Sequence, residues 1–248
     1  MIICIDPGHG GTSRANVGPT GYVEADGVLD IAKLLRPMLT PHYDVRMTRD
    51  TDKTVELYDR AKMANDWKAD LFISIHTNAG SAAARGAETF HSFKGEWGTQ
   101  FQAEAKRAAA IIQAELVAAT GMVDRGIKTN LVNNPGSPIH GMDYYGVIRR
   151  SKCPALIVEA GFHSNPAEEA MLKTTAFRKR IAEGIAKGVL KAYPVQKDDG
   201  LNEAIQTLAD AGIITSPEYW RLNAETGRFV KGEFVGSLIL KMAEKLRR

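Results

Sequence analysis

Over residues 1–193, short apolar runs alternate with longer stretches in which apolar residues recur at helical spacing. The short runs predict strands, and two of them, LFISI and ALIVE, are apolar almost throughout, which favours central strands covered on both faces. This alternation is typical of an α/β fold, in which a sheet and helices form layers. The candidate strands are Met1–Ile5, Tyr43–Met47, Asp70–Ile75, Gly86–His91, Gly146–Ile148 and Ala155–Glu159.

The stretches with helical spacing predict four helices in the same region. The clearest has an apolar stripe at Val28, Ile31 and Leu35, as expected for one buried face of an amphipathic helix. The predicted helices cover residues 25–39, 55–67 and 100–120, and a last one ends near Tyr193.

A change of pattern at Pro194 predicts a domain boundary. Residues 194–198 form no periodic element and are expected to be a linker between a large domain, 1–193, and a small helical module, 199–248. About fifty residues bury only a small core, so the module is expected to be marginally stable alone or to dock on a partner surface.

Composition and charge exclude several classes of protein. The 248 residues are 44% hydrophobic and 25% charged, which is ordinary for a globular protein, and a net charge of +3 does not favour nucleic-acid binding. No apolar run approaches the roughly 20 residues of a membrane helix, so we expect no membrane partner. The start, MIICIDPGHG, lacks a basic leader, and no secretory signal peptide is expected. Cys4 and Cys153 are expected to be reduced packing residues.

Histidines and carboxylates stand at the ends of predicted elements. His9 follows the first strand in DPGHGG and His76 ends the third in SIHTN, where an open α/β sheet places its binding crevice. Glu24 precedes a helix, and Glu159 closes the run ALIVE, where an ionised carboxylate is costly unless a cation or several donors contact it. For each histidine alone a structural hydrogen bond is the plainer interpretation, and for Glu24 it is a favourable interaction with the helix dipole.

Two imidazoles and a carboxylate, with a fourth position open, form the ligand set of a catalytic zinc. Such an ion lowers the pKa of water to about 7, and a further carboxylate can take the proton and pass it to a leaving amine. The residues therefore suggest a metal-assisted hydrolase but leave the bond that it cuts open. A scattered set of this kind is also less specific than an HExxH motif.

Several segments, taken in their order along the chain, resemble the zinc-dependent N-acetylmuramoyl-L-alanine amidases. They are IDPGHGG, Glu24 with LDIAKLL, VRMTR, DRAKMAN, ADLFISIHTN, RGIK and PALIVEAGFHSNPAE, and they run from about Met1 to Tyr193 without including the tail. The resemblance implies a single twisted mixed sheet of about six strands with helices on both faces. It also implies hydrolysis of the amide between the lactyl group of N-acetylmuramic acid and L-alanine, so that peptidoglycan is the expected partner.

The same resemblance assigns roles to individual residues. It implies one zinc ion held by His9, Glu24 and His76, with Glu159 as the catalytic glutamate. Asp6 and Asn78 are weaker candidates that could orient the ligands or bind substrate, although ordinary loop hydrogen bonding is the plainer alternative.

Location and the role of the tail are further expectations. Without a signal peptide, the enzyme would be made in the cytoplasm and reach the cell wall after release, as a phage endolysin or as an autolysin. The helical module could bind the wall or form a homo-oligomer. Its aromatic residues Tyr219, Trp220 and Phe229 could stack on sugars or fill a small core.

Two other classes of function remain open from the residues. A zinc-dependent deacylase acting on another amide or on an N-acetyl group could share the ligand set, but it would not need the ordered match from DPGHGG to VEAGF. A catalytically silent wall-binding module would be natural if a ligand or Glu159 were missing, yet all four positions are filled.

Overall fold

A computed structural model describes residues 1–194, 199–223 and 232–246. The chain divides into two compact units, Met1–Pro194 and Val195–Arg248. Apart from Pro194, the predicted linker lies outside the described residues, as does Phe229.

The first unit is built on one six-stranded sheet of order β2-β1-β3-β6-β4-β5. Neighbouring strands are parallel except β4 and β6, which are antiparallel, so the sheet is mixed. This confirms the predicted α/β class. The strands are β1 (Ile2–Pro7), β2 (Asp44–Met47), β3 (Leu71–Asn78), β4 (Ala87–His91), β5 (Asp124–Lys128) and β6 (Ala155–Phe162).

Helices cover the two faces of the sheet unequally. They are α1 (Glu24–Leu39), α2 (Leu57–Asp66), α3 (Gln102–Thr120), α4 (Gly146–Arg150), α5 (Pro166–Leu172) and α6 (Thr175–Ala192). The long helices α1, α3 and α6 enclose the larger apolar core, in which the predicted stripe of Val28, Ile31 and Leu35 is fully buried. The short helices α2 and α4 border a smaller core on the opposite face, around Phe72 and Ile157.

Three elements differ from the sequence prediction. The predicted strand Gly146–Ile148 is wrong, because these residues begin helix α4, where the Arg149 amide donates to the Tyr145 carbonyl. The sixth strand is instead β5, within the segment that contains RGIK. Helix α5 was not predicted, although Asn165 caps it by accepting hydrogen bonds from the Ala167 and Glu168 amides.

The second unit has a small apolar core of its own. Ile205, Ile213 and Ile214 are buried, and Trp220 and Leu238 pack partly buried against them, so Trp220 belongs to this core. The described helices are α7 (Asp199–Asp210), α8 (Pro217–Asn223) and α9 (Gly232–Leu246).

None of the helices that the structure describes is long and apolar enough to cross a membrane. Cys4 and Cys153 are both buried and free of a disulfide, as predicted.

Candidate metal centre and active site

The ends of β1 and β3 and the start of α1 bring three candidate ligands together. His9 follows β1, Glu24 is the first residue of α1, and His76 lies near the end of β3. One ligand atom from each lies within 4.8 Å of the other two. Nε2 of His9 is 3.2 Å from Oε2 of Glu24, and Nδ1 of His76 is 3.0 Å from Oε1. These three residues could therefore hold a metal ion.

The backbone around His9 explains why glycines surround it. His9 adopts a left-handed conformation with φ 58°, and Gly10 and Gly11 follow with φ 112° and 58°. At Gly8, a Cβ atom would lie 2.2 Å from Cε1 of His76, so no side chain fits there. The DPGHGG segment thus allows a sharp turn that places the two imidazoles edge to face, with ring centroids 5.0 Å apart.

Two buried arginines hold this turn. Arg60 donates to the carbonyls of Pro7 and His9 and to the carboxylate of Asp6. Arg49 donates to the carbonyls of Pro7 and Gly8 and also to that of Ala25 in α1. Arg49 therefore ties the loop of His9 to the helix that begins with Glu24.

Glu24 is held from two sides besides the histidines. Its carboxylate is 1% exposed and accepts a hydrogen bond from the Thr77 amide at 2.9 Å. The side-chain amide of Asn16 donates to Oε2 of Glu24 at 2.7 Å and lies 3.2 Å from Nε2 of His9. Sequence reasoning missed Asn16, because no local pattern links this loop residue to a carboxylate eight positions later.

The pKa values of Glu24 and His76 depend on each other. Burial raises the pKa of Glu24, but its hydrogen bonds with His76 and His9 outweigh burial and hold that pKa well below the usual range. Burial lowers the pKa of His76, and the hydrogen bond and charge of Glu24 overcome this and raise it to about 9. The carboxylate of Glu24 is thus ionised and favours the protonated form of His76.

Glu159 lies beside this centre on the neighbouring strand. It is directly opposite His76 in the pairing of β3 with β6, and it is 9% exposed. Its Oε2 atom is buried without a hydrogen-bond partner among the described residues. Burial, together with the charges of Glu24 and Glu88, raises the pKa of Glu159 to about 7 against the opposing effect of His76. A carboxyl group with a pKa near neutrality can both accept and return a proton.

A groove of about 840 Å³ runs over these residues. His9, His76 and Glu159 line it, together with two segments that lead into helices, Thr54–Leu57 at the start of α2 and Tyr144–Val147 at the start of α4. Its volume is in the range of sites that hold small-molecule ligands, which is compatible with a glycopeptide fragment.

The weaker candidates have other contacts. Asp6 accepts hydrogen bonds from Thr48, Ser74 and Arg60, and Arg60 also holds the His9 loop. The side-chain amide of Asn78 donates to Glu88 at 2.8 Å rather than to a candidate ligand.

Comparisons with known proteins agree with this geometry. Residues 3–191 match the family model described as N-acetylmuramoyl-L-alanine amidase. The chain is 34% identical over 199 residues to the sporulation-specific N-acetylmuramoyl-L-alanine amidase of Bacillus subtilis, covering 79% of this chain and 69% of that protein. It is 33% identical over 201 residues to the endolysin of Bacillus phage SPP1, covering 80% of this chain and 68% of that protein.

Solved structures show the same fold. The catalytic domain of CwlV, an N-acetylmuramoyl-L-alanine amidase from Bacillus (Paenibacillus) polymyxa, superimposes with a TM-score of 0.67 at 32% identity, covering 79% of this chain and 99% of that domain. Cwp6 from Clostridium difficile superimposes with a TM-score of 0.69 at 33% identity, covering 77% of this chain and 29% of that chain.

Proposed function

We propose that this chain, which belongs to the N-acetylmuramoyl-L-alanine amidase family, hydrolyses the amide between the lactyl group of N-acetylmuramic acid and L-alanine in peptidoglycan. The observation that carries this proposal is the placement of Glu159. Glu159 lines the same groove as the candidate ligands His9 and His76, its Oε2 atom has no hydrogen-bond partner among the described residues, and it lies directly opposite His76 on the neighbouring strand.

One zinc ion held by His9, Glu24 and His76 is part of the proposal. Two imidazoles and a carboxylate are a donor set that suits zinc, and their ligand atoms already lie close together. When bound, zinc supplies a Lewis acid that polarises a carbonyl group and makes water easier to deprotonate. Neutral imidazole is the form that binds metal, so loading must displace the proton that Glu24 stabilises on His76.

The proton transfers are assigned to Glu159. Its carboxylate takes a proton from the attacking water and then delivers that proton to the nitrogen of L-alanine as the amide bond breaks. The raised pKa of Glu159 suits this shuttle, because the group gives up the proton about as readily as it takes it.

The test is incubation of a purified muropeptide with the protein, with and without a chelator. We expect a free lactyl carboxyl group and a new L-alanine N-terminus, both lost when the metal is removed. Release of acetate instead would identify a deacylase.

The Glu159→Ala variant tests the assignment of the proton shuttle. We expect it to abolish turnover while one zinc per chain stays bound, as measured by metal analysis. Loss of stoichiometric zinc from this variant would make Glu159 a ligand rather than a base.

A further inference from the structure

A charged cluster lies on the sheet next to Glu159, on the side away from His76. Glu88 on β4 is directly opposite Glu159 on β6, which is itself directly opposite His76 on β3. Directly opposite residues on neighbouring strands present their side chains on the same face, and neighbouring strands are about 4.8 Å apart. Glu88 therefore lies on the face that carries the candidate metal centre, one strand beyond the proposed proton shuttle.

Glu88 is held by two cations from β5. Arg125 Nε and Lys128 Nζ each lie 2.6 Å from Oε2 of Glu88, and the side-chain amide of Asn78 donates to Oε1 at 2.8 Å. The Glu88 side chain is 6% exposed, whereas those of Arg125 and Lys128 are 35% and 37% exposed. Burial raises the pKa of Glu88, but its contacts with Lys128 and Arg125 outweigh burial and lower it, so Glu88 is ionised at neutral pH.

The cluster has one positive charge more than Glu88 needs. A single cation would neutralise this carboxylate, yet two are positioned on the same oxygen. Arginine has five N–H donors and lysine three, so both keep donors that Glu88 does not use. Partly exposed donors with a surplus positive charge are suited to bind an anion, and a planar carboxylate is a preferred partner of arginine.

The proposed substrate supplies an anion at a matching distance. On the leaving side of the scissile amide, the stem peptide continues from L-alanine to residues that carry carboxyl groups. Two residues of extended peptide span roughly 7 Å, which is one to two strand spacings. A peptide that leaves Glu159 towards β4 and β5 therefore brings a carboxylate to Arg125 and Lys128.

We propose that Arg125 and Lys128, positioned by Glu88, form a subsite that binds a carboxylate of the stem peptide and selects peptides that carry it. This inference rests on the proposed amidase function, because it assumes that the scissile amide lies between the candidate metal centre and Glu159. The subsite is expected to favour a stem peptide in which the α-carboxyl of the second residue is free over one in which that group is a carboxamide.

Three muramoyl tripeptides test the proposal with Lys128→Gln, a variant that leaves Arg125 paired with Glu88. The first has a free carboxyl only on its second residue, the second has carboxamides throughout, and the third has a free carboxyl only at the C-terminus. For the unmodified protein we expect kcat/KM about tenfold higher for the first than for the second, mainly through KM. Lys128→Gln should remove most of this preference, because kcat/KM should fall much more for the first substrate than for the second.

Two further variants control for structural effects. Lys179→Gln, on an exposed position of α6, should keep the full preference. Arg125→Lys, which retains the charge, should keep more of it than Arg125→Gln. Equal loss of activity on all three tripeptides would indicate a purely structural cluster and overturn the subsite.

The remaining outcomes separate this inference from the amidase function. A preference for the third tripeptide, lost in Lys128→Gln, supports the subsite and identifies the C-terminal carboxylate as its anion. Equal hydrolysis of all three by the unmodified protein overturns the subsite and leaves the amidase function intact. Failure to hydrolyse any of them overturns both.

Discussion

Glu159 is expected to lower the stability of the metal-free fold in exchange for reactivity. Its pKa rises from 4.5 to about 7 on folding, because the ionised carboxylate is buried. Between these values the folded protein holds a proton that the unfolded chain has lost, so the free energy of unfolding falls as pH rises from about 4.5 to 7. One pKa unit corresponds to about 1.4 kcal/mol, so the free energy of unfolding is lower by roughly 3 kcal/mol above pH 7 than at acidic pH.

Glu159→Gln should therefore stabilise the metal-free protein at pH 8 by up to roughly 3 kcal/mol. Urea unfolding in the presence of a chelator measures this difference. At pH 4 both side chains are neutral, and the two proteins should unfold at the same urea concentration. Equal stability at pH 8 would show that Glu159 is solvated in the folded state.

Asn16 is expected to orient the carboxylate of Glu24 for metal binding. Its side-chain amide donates to Oε2 of Glu24, while the backbone amide of Thr77 donates to Oε1. Removing a group that orients a ligand typically costs about 10- to 100-fold in metal affinity, and we expect Asn16→Ala to fall in this range. A competition titration with a zinc chelator measures the affinity.

The matched control is Asn134→Ala, since Asn134 is exposed and its side chain contacts only the nearby Gly136 amide among the described residues. Its zinc affinity should equal that of the unmodified protein. If Asn16→Ala also binds zinc unchanged, then Thr77 alone fixes Glu24.

The metal and proton-transfer candidates were accessible to sequence reasoning because three of them stand on or beside apolar strands. His9 and His76 follow or end such strands, and Glu159 interrupts one with a charge that burial makes costly. Asn16 and Glu88 were missed for a physical reason: their partners are set by tertiary contacts and strand register, which no local spacing records.

At the level of elements, the sequence predictions are wrong where a segment is short or polar. Strand β5 is at the edge of the sheet, its first two residues are exposed, and Gly126 has φ 75° beside a register shift, so its sequence lacks the apolar alternation of a strand. The segment Gly146–Ile148 offers three residues, too few to distinguish a helical from a strand period. Packing against α2 buries Val147 and Ile148, and this burial favours helix α4 over a strand.

The contact between α3 and α6 depends on glycine. A Cβ atom on Gly188 of α6 would lie 2.6 Å from Cα of Ile112 in α3, so the helices approach too closely for any side chain. Gly188→Ala should therefore destabilise the protein by about 2 kcal/mol, despite the higher helix propensity of alanine. Urea unfolding at neutral pH measures the change.

Lys187→Ala is the control, because Lys187 precedes Gly188 on the same helix, its side chain is 72% exposed, and an ion pair such as the one that this exposed side chain forms with Glu115 contributes little to stability. We expect a change within about 0.5 kcal/mol. A Gly188→Ala variant as stable as this control would mean that α3 and α6 can separate without cost.

At the scale of the whole molecule, the role of the second unit is a separate question from catalysis. The candidate ligands, Glu159 and the groove all lie within Met1–Pro194. We expect a chain ending at Pro194 to hydrolyse soluble muropeptides as the full chain does. If residues 199–248 anchor the enzyme, the shortened chain should no longer sediment with purified cell walls.

Size-exclusion chromatography distinguishes the alternative role. A full-length dimer that becomes a monomer on truncation, with sedimentation unchanged, would assign dimerisation to the module and contradict anchoring. Loss of muropeptide hydrolysis on truncation would contradict the independence of the first unit.

The pairing of β3 with β6 makes turnover a reporter of correct assembly. Side chains alternate between the faces of a strand, so a slip of one residue would turn Glu159 away from His76 and into the opposite layer. Such a chain would keep its secondary structure and yet be inert. In refolding experiments, the yield measured by product formation should therefore be lower than the yield measured by circular dichroism. The difference between the two yields would give the fraction of molecules in which β3 and β6 pair in a shifted register.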